Sequence, residues 1–130
     1  MIEQTELIVT EWNYNEPVNS PAQQENISSN TVLDVMKKRA GIKKGIACRF
    51  TCRFNTQTQI ILEYVAEDSY VIDLDDKIDK NELLTMIRNS YSKFKEGFDL
   101  RKLGTVLQNK SLSNLNENSI DLNAILPLLH

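Results

Sequence analysis

Residues 46–54, IACRFTCRF, decide the fold of this 130-residue chain. Apolar residues or cysteines stand at every second position from Ile46 to Phe54, and the positions between them include Arg49 and Arg53. Because successive side chains of a β-strand point to opposite faces, this alternation predicts a strand with one buried and one solvated face. A strand with one wet face is typical of an antiparallel sheet.

Two further strands follow at short spacing. Residues 58–66, TQIILEYVA, and residues 70–74, YVIDL, are rich in β-branched and aromatic residues. The turns between these segments are too short for parallel neighbours, so residues 46–74 are predicted to form an antiparallel β-meander of three strands. Residues 7–14, LIVTEWNY, have a similar composition and predict a further strand.

The segment between the first strand and the meander divides into a loop and a helix. Residues 15–29 are polar, contain Pro17 and Pro21, and predict a connecting loop. Residues 30–40, NTVLDVMKKRA, predict a short helix, because apolar residues form a narrow stripe, basic residues end it and Gly41 follows.

The hydrophobic period changes to helical spacing after the meander. Asp79 and Glu82 have the spacing of a capping box, and apolar residues then recur at intervals of three and four. The sequence predicts helices over 80–109, with Gly97 ending the first of them, and an apolar tail over 120–129. The whole chain is therefore predicted to be one α+β domain, in which C-terminal helices cover one face of an antiparallel sheet of about four strands.

The residue types argue against most enzyme chemistry. The single histidine is the last residue, His130, which excludes internal Ser-His-Asp, Cys-His and histidine-based zinc sites. The acidic stretch 73–82 carries Ile78 where a calcium-binding EF-hand loop needs glycine, which argues against calcium. We expect no enzyme activity, no cofactor and no metal.

The cysteine content and the hydropathy indicate a cytoplasmic protein. Cys48 and Cys52 lie on one strand face about 13 Å apart, too far for a disulfide between them. Reduced thiols are typical of the cytoplasm. No apolar stretch approaches the length of a membrane helix, and the N-terminus lacks the pattern of a signal peptide, so we expect neither.

Charge is distributed unevenly along the chain. Residues 37–53 contain seven basic and no acidic residues, whereas residues 63–82 contain eight acidic residues and two lysines. A basic run that includes Lys37–Lys44 could bind phosphates, but it lacks interleaved aromatic residues, and we expect nucleic acid binding to be unlikely. The simpler interpretation is a solvated helix end and strand face, or an electrostatically complementary contact between copies.

The strand over 58–66 is apolar on both of its predicted faces. Ile60, Leu62 and Tyr64 alternate with Ile61 and Val65. Helices on one side leave the second face in need of a partner, so we expect a homo-oligomer whose interface includes Ile61 and Val65.

The order of elements resembles that of the SecB-like protein-export chaperones. The segment 11–22, EWNYNEPVNSPA, is similar to the family's aromatic and acidic stretch that ends in Pro-Asn-x-Pro, with one extra residue, Val18. Tyr91 and Phe94 with a following basic residue and glycine, and the tail ILPLL over 125–129, are also similar in kind. The family's phenylalanine- and proline-rich segment is missing, and residues 30–40 look helical where the family would be extended.

The resemblance implies an ATP-independent holdase that binds unfolded polypeptides and keeps precursors competent for export. It assigns client binding to an apolar groove and binding of the SecA translocation motor to acidic residues on the outer sheet face. The corresponding residues here are Phe50, Phe54, Leu62 and Tyr64 for the client, and Glu63 and Asp73 for the motor. The alternatives are a small structural or interaction protein of the mobile-element type, which self-assembles through the second sheet face, and a nucleic-acid binder.

Overall fold

The computed structural model describes residues 3–4, 6–16 and 26–129. Five strands precede two helices: β1 (Glu3–Gln4), β2 (Ile8–Tyr14), β3 (Ser28–Ala40), β4 (Lys43–Asn55), β5 (Ile60–Ile72), α1 (Lys80–Arg101) and α2 (Leu122–Leu129). Most of the predicted loop over 15–29 falls on residues 17–25, which lie outside the described residues.

The five strands occupy four positions in one antiparallel sheet. β1 and β2 both pair with β5, one beyond the other along the same edge, and β4 and β3 follow on the opposite side of β5. The helices lie over the face of the sheet that carries the predicted apolar side of β4. The predicted fold class, an α+β domain with helices on one face of about four strands, is confirmed.

The predicted helix over 30–40 is wrong, because these residues belong to β3. β3 pairs with β4 over its whole length, from Ser28 opposite Asn55 to Ala40 opposite Lys43. A two-residue turn joins the strands, and its first residue, Gly41, has a φ of 65°, which only glycine adopts readily. Gly41 therefore ends a strand in a hairpin rather than a helix.

The turn predicted between the strands over 58–66 and 70–74 is also wrong, because β5 runs from Ile60 to Ile72 without interruption. Polar residues in this stretch have partners from other elements. Glu67 points to the outer face, where Lys38 and Arg49 contact it, and Asp68 points inward and hydrogen-bonds to Ser90. Tertiary contacts thus satisfy the acidic residues that resemble a turn in the sequence.

A bulge on β5 changes which residues face the core. Phe54 pairs with Leu62 and Asn55 with Ile60, so Ile61 is an extra residue on β5. Ile61 is fully buried in the main core, whereas Ile60 is 49% exposed. The prediction that Ile61 lies on the face opposite Leu62 is therefore wrong.

The predicted helix start at Asp79 is confirmed. The Asp79 side chain accepts a hydrogen bond from the Glu82 main-chain N–H, and the Glu82 side chain accepts one from the Asp79 N–H. α1 continues past Gly97 to Arg101, and turns rather than a second helix follow. Gly104 has a φ of 79°, which explains why helical structure does not continue to residue 109 as predicted.

Residues 102–121, here called the return segment, run back along α1 on the β3 side of the sheet. The Tyr91 hydroxyl donates to the Ser113 carbonyl, and Arg88, one turn earlier on α1, pairs with Glu117. α2 then packs against α1 and β3. The predicted apolar tail over 120–129 is thus largely helical, and it covers the part of the inner sheet face that α1 leaves open.

Candidate functional site

The four residues predicted to bind clients lie together, but inside the core. Phe50, Phe54, Leu62 and Tyr64 are at most 2% exposed. Aromatic rings of α1 pack on them, with centroid distances of 5.2 Å from Phe50 to Phe94 and 5.3 Å from Phe54 to Phe98. In this arrangement α1 occupies the surface that a client would contact.

The outer face of the sheet carries ion pairs rather than an apolar surface. β4 presents Arg49 and Arg53, and the adjacent β5 presents Glu63 and Glu67. Arg53 Nε lies 2.6 Å from Glu63 Oε2, and Arg49 Nε lies 3.9 Å from Glu67 Oε1. The basic and acidic runs of the sequence are therefore neighbours in the sheet, and they neutralise one another.

Three lysines of the basic run also have partners: Lys38, Lys43 and Lys44. Lys38 pairs with Glu67, and Lys43 lies 3.7 Å from Asp73. Lys44 is 4% exposed, and its ammonium group donates to the Asp76 carbonyl at 3.1 Å. This arrangement leaves less unbalanced positive charge for a phosphate than the sequence indicates.

The two residues predicted to form an oligomer interface lie on different sides of the sheet. Val65 is on the outer face and is 8% exposed, while Ile61 is inside the core. Val65 is therefore nearly covered as well, and only a small part of it is accessible to a second copy.

The acidic residues predicted to bind the motor are far apart, because Glu63 lies near the start of β5 and Asp73 directly follows its end. Glu63 and Asp73 are ten positions apart, which corresponds to about 33 Å along a strand. Glu63 also accepts a hydrogen bond from Glu11 on β2. This contact raises the pKa of Glu11, and the hydrogen bond from Arg53 lowers the pKa of Glu63. The two predicted residues thus do not form one patch.

A groove with both polar and apolar walls runs along β3 on the inner side of the sheet. Two adjoining cavities of about 250 and 220 Å³ share Leu33 and Ile120 in their walls. We call this feature the β3 groove. Its apolar lining residues are Leu33, Tyr91, Leu115, Ile120 and Ile125, and its polar ones are Ser29, Asn30, Thr31, Ser113, Asn114, Asn116, Ser119 and Asp121. Tyr91 is buried, whereas the four aliphatic side chains are half-buried, so they contact the core on one side and solvent on the other.

The β3 groove lies beside an open sheet edge. β3 is the last strand on its side, and within the described residues no strand pairs with its outer edge. Such an edge presents a row of N–H and C=O groups to solvent. An extended polypeptide can bind to such a place, because its backbone can hydrogen-bond to the strand edge while its side chains contact the neighbouring apolar residues.

The sequence does not reveal this groove, because the pattern of residues 30–40 predicts a helix. That pattern puts Leu33 on a helical stripe, whereas in the structure Thr31, Leu33 and Val35 alternate on the inner face of β3. That alternation of period two was the available signal. The return segment, which forms the other wall, has no such pattern in the sequence.

The surroundings of the two cysteines indicate a structural role. Cys48 and Cys52 are free and fully buried, and burial raises the pKa of the Cys48 thiol to about 12. A thiol with so high a pKa is not nucleophilic at neutral pH. Within the described residues there is no group of three or more potential metal ligands, and no helix is long and apolar enough to cross a membrane.

Comparisons with known proteins identify the fold. No protein-family model matches the sequence, and no curated protein matches it. Among solved structures, the chain is similar to a SecB-like chaperone from Mycobacterium tuberculosis in complex with a peptide from an antitoxin. The TM-score is 0.56 at 13% sequence identity, and the match covers 88% of this chain and 90% of that one.

A protein of unknown function from Streptococcus agalactiae is also similar. Its TM-score is 0.51 at 10% identity, with 88% of this chain and 96% of the other covered. The chain therefore has a SecB-like fold, and the resemblance inferred from the sequence is confirmed at the level of the fold.

Proposed function

We propose that this protein is an ATP-independent holdase chaperone that binds extended, unfolded segments of polypeptide in the β3 groove. The observation that carries the proposal is the position of half-buried apolar side chains directly beside the open edge of β3. The structural similarity to a SecB-like chaperone that was solved with a bound peptide supports it.

Binding would proceed by strand addition. Main-chain groups of the client pair with the edge of β3, and this pairing does not depend on client sequence. Alternate client side chains enter the groove, where Leu33 and Ile120 provide apolar contacts. Such a site is selective for unfolded, apolar segments and needs no chemical step and no nucleotide.

The proposal also includes a cellular role for the protein. We propose that the protein acts in the cytoplasm as a homo-oligomer and keeps precursors competent for export. Glu63 and Asp73 remain the proposed contacts for the SecA motor, as two separate contacts. Val65 remains the proposed assembly contact, whereas the burial of Ile61 limits it to supporting that surface from within.

The test is the binding of a fluorescently labelled, permanently unfolded polypeptide, with native mass measured by light scattering in the same run. Leu33→Arg places a charge in the β3 groove, and Val32→Arg places the same charge on the outer face one residue away. Val32 is 48% exposed, so its replacement does not disturb the core. We expect Leu33→Arg to weaken binding by roughly tenfold or more and Val32→Arg to leave it near wild type.

If both folded variants bind the client equally well, the client site is not the β3 groove. A folded wild-type protein that does not bind unfolded polypeptide at all would contradict the holdase function. The alternative, an interaction protein that only self-assembles, predicts a stable oligomer without client binding.

A further inference from the structure

A buried polar cluster lies between the sheet and α1, on the opposite side of the domain from the β3 groove. Asp68 and Ser90 are both fully buried. Asp68 Oδ2 accepts a hydrogen bond of 2.7 Å from the Ser90 hydroxyl, and Asp68 Oδ1 lies 3.4 Å from Lys93 Nζ. The Tyr70 hydroxyl lies 2.9 Å from Ser90 Oγ and donates to the Met86 carbonyl.

One member of this cluster comes from the first strand. The side-chain amide of Gln4 donates to Asp68 Oδ2 at 2.8 Å and lies 3.1 Å from the Tyr70 hydroxyl. Gln4 belongs to β1, whose two described residues pair with Val71 and Tyr70 of β5. The exposed residue Gln4 thus provides the outermost donor to a fully buried carboxylate.

The space beside Gln4 is only partly filled by the chain. A cavity of about 390 Å³ separates β1 from the first turns of α1. Its walls combine amide and hydroxyl side chains with one carboxylate and the Met86 thioether: Gln4, Tyr70, Asn81, Glu82, Thr85, Met86 and Asn89. Side-chain amides can both donate to and accept from a peptide backbone.

We propose that this cavity is a second polypeptide-binding site, in which an extended segment of another chain replaces β1 and inserts a hydrogen-bond-donating side chain where Gln4 now lies. Gln4 acts as an internal substitute ligand that occupies the site until a competing strand displaces it. We call the position of its amide the Gln4 seat, defined by Asp68, Tyr70 and Ser90.

The chemistry of the Gln4 seat determines which side chains fit. Asp68 offers acceptor oxygens at the inner end, so an amide or an ammonium group is favoured there. An acidic side chain would be repelled, and an aliphatic one would leave a buried acceptor short of a donor. The expected occupant is therefore a strand with glutamine or lysine at the position opposite Tyr70.

The backbone contribution comes from β5. Removal of two residues of β1 exposes the β5 edge at Tyr70 and Val71, where a competing strand can pair in the same register. Within the described residues, β1 makes two register pairs with β5 in addition to the Gln4 contacts, and a segment that pairs with β5 over a longer stretch can form more hydrogen bonds than these.

The test uses the full-length chain and a labelled peptide of its own first eight residues, MIEQTELI. The Gln4→Ala protein keeps the β1 backbone but lacks the internal substitute ligand. We expect the peptide to bind this variant roughly tenfold more tightly than it binds the wild-type protein, since a hydrogen bond to a charged group is no longer in competition. The matched peptide MIEATELI lacks the donor, and we expect it to bind the variant roughly tenfold more weakly than MIEQTELI does.

NMR shift mapping separates this site from the β3 groove. Changes at Tyr70 and Ser90 without changes at Leu33 and Ile120 support the Gln4 seat, and the reverse pattern assigns the peptide to the β3 groove. Equal affinity for the glutamine and alanine peptides overturns the proposal, as does a failure of MIEQTELI to bind the folded Gln4→Ala protein. Neither result bears on the binding of unfolded polypeptide by the β3 groove.

Discussion

Tyr64 and Phe94 are joined by two contacts at the centre of the core. Their rings stack with centroids 4.2 Å apart, and the Tyr64 hydroxyl donates a 3.0 Å hydrogen bond to the Phe94 carbonyl. The hydroxyl fits there because Gly97, one turn further along α1, has no side chain. A Cβ at Gly97 would overlap the Tyr64 oxygen.

Gly97→Ala is therefore expected to destabilise the protein, although alanine favours helices by about 1 kcal/mol over glycine. Overpacking against a buried ring costs about 1–3 kcal/mol, and the net effect should be a lower free energy of unfolding. Urea unfolding followed by circular dichroism measures the change.

Tyr64→Phe provides the control for this prediction, because it removes only the oxygen that Gly97 accommodates. In the Tyr64→Phe background, Gly97→Ala should cost clearly less than in the wild-type protein. The same loss in both backgrounds would assign the role of Gly97 to something other than the Tyr64 hydroxyl.

The contact between Glu11 and Glu63 predicts a dependence of stability on pH. The pKa of Glu11 is raised above its usual value of 4.5, so this residue stabilises the fold when protonated. That contribution is lost as the pH rises through the raised pKa. Glu11→Gln should therefore flatten the fall of the urea midpoint as the pH rises above 4.5, and it should increase the midpoint at pH 7. A variant less stable than wild type at pH 7 would contradict this assignment.

The ion pair between Arg88 and Glu117 predicts the opposite pH dependence for the return segment. Arg88 lowers the pKa of Glu117 below 4.5, so the stabilising contribution is present above that pH and is lost as the pH falls through the lowered value. Hydrogen exchange of the amides at 117–120 should increase in Glu117→Gln relative to wild type at pH 6. At pH 3 the difference should shrink. A difference that is equal at both pH values would show that the charge of Glu117 has no part in it.

Substitution of Val65 is expected to affect assembly, whereas substitution of Ile61 is expected to affect folding. Val65→Asp adds a charge on the outer face beside Glu63, and if this face joins copies, the native mass should fall while the circular dichroism spectrum stays unchanged. Ile61→Asp buries a charge in the core and should prevent folding. A folded Val65→Asp protein with the wild-type mass would exclude this face from assembly.

Local patterns were sufficient where local physics dominates. The alternation in β4, the capping box at Asp79 and the apolar period of α1 were predictable, because each depends on neighbours a few residues away. The strand at Ile8–Tyr14 was likewise predictable from its β-branched and aromatic residues.

Contacts between distant residues decided the remaining elements. In the sequence, the basic residues at the end of β3 resemble a helix terminus. In the structure they belong to a strand, and Lys38 pairs with Glu67 of β5. In the sequence, Asp68 resembles a turn residue, but in the structure it lies within β5 and accepts hydrogen bonds from Ser90 and Gln4. The bulge that turns Ile61 inward depends on the register of β4 against β5, which one sequence does not reveal. The candidate groove was missed for the same reason, since its walls are about eighty positions apart in the sequence.

The paired charges on the outer sheet face also have a kinetic consequence. Because Arg49 and Arg53 lie beside Glu67 and Glu63, the field of each charge is largely cancelled within a distance comparable to the Debye length, about 8 Å at physiological ionic strength. A partner that approaches this face by diffusion experiences little electrostatic steering. We therefore expect its association rate to lie in the range of uncharged encounters, about 10⁵–10⁶ M⁻¹s⁻¹, and to change little with ionic strength.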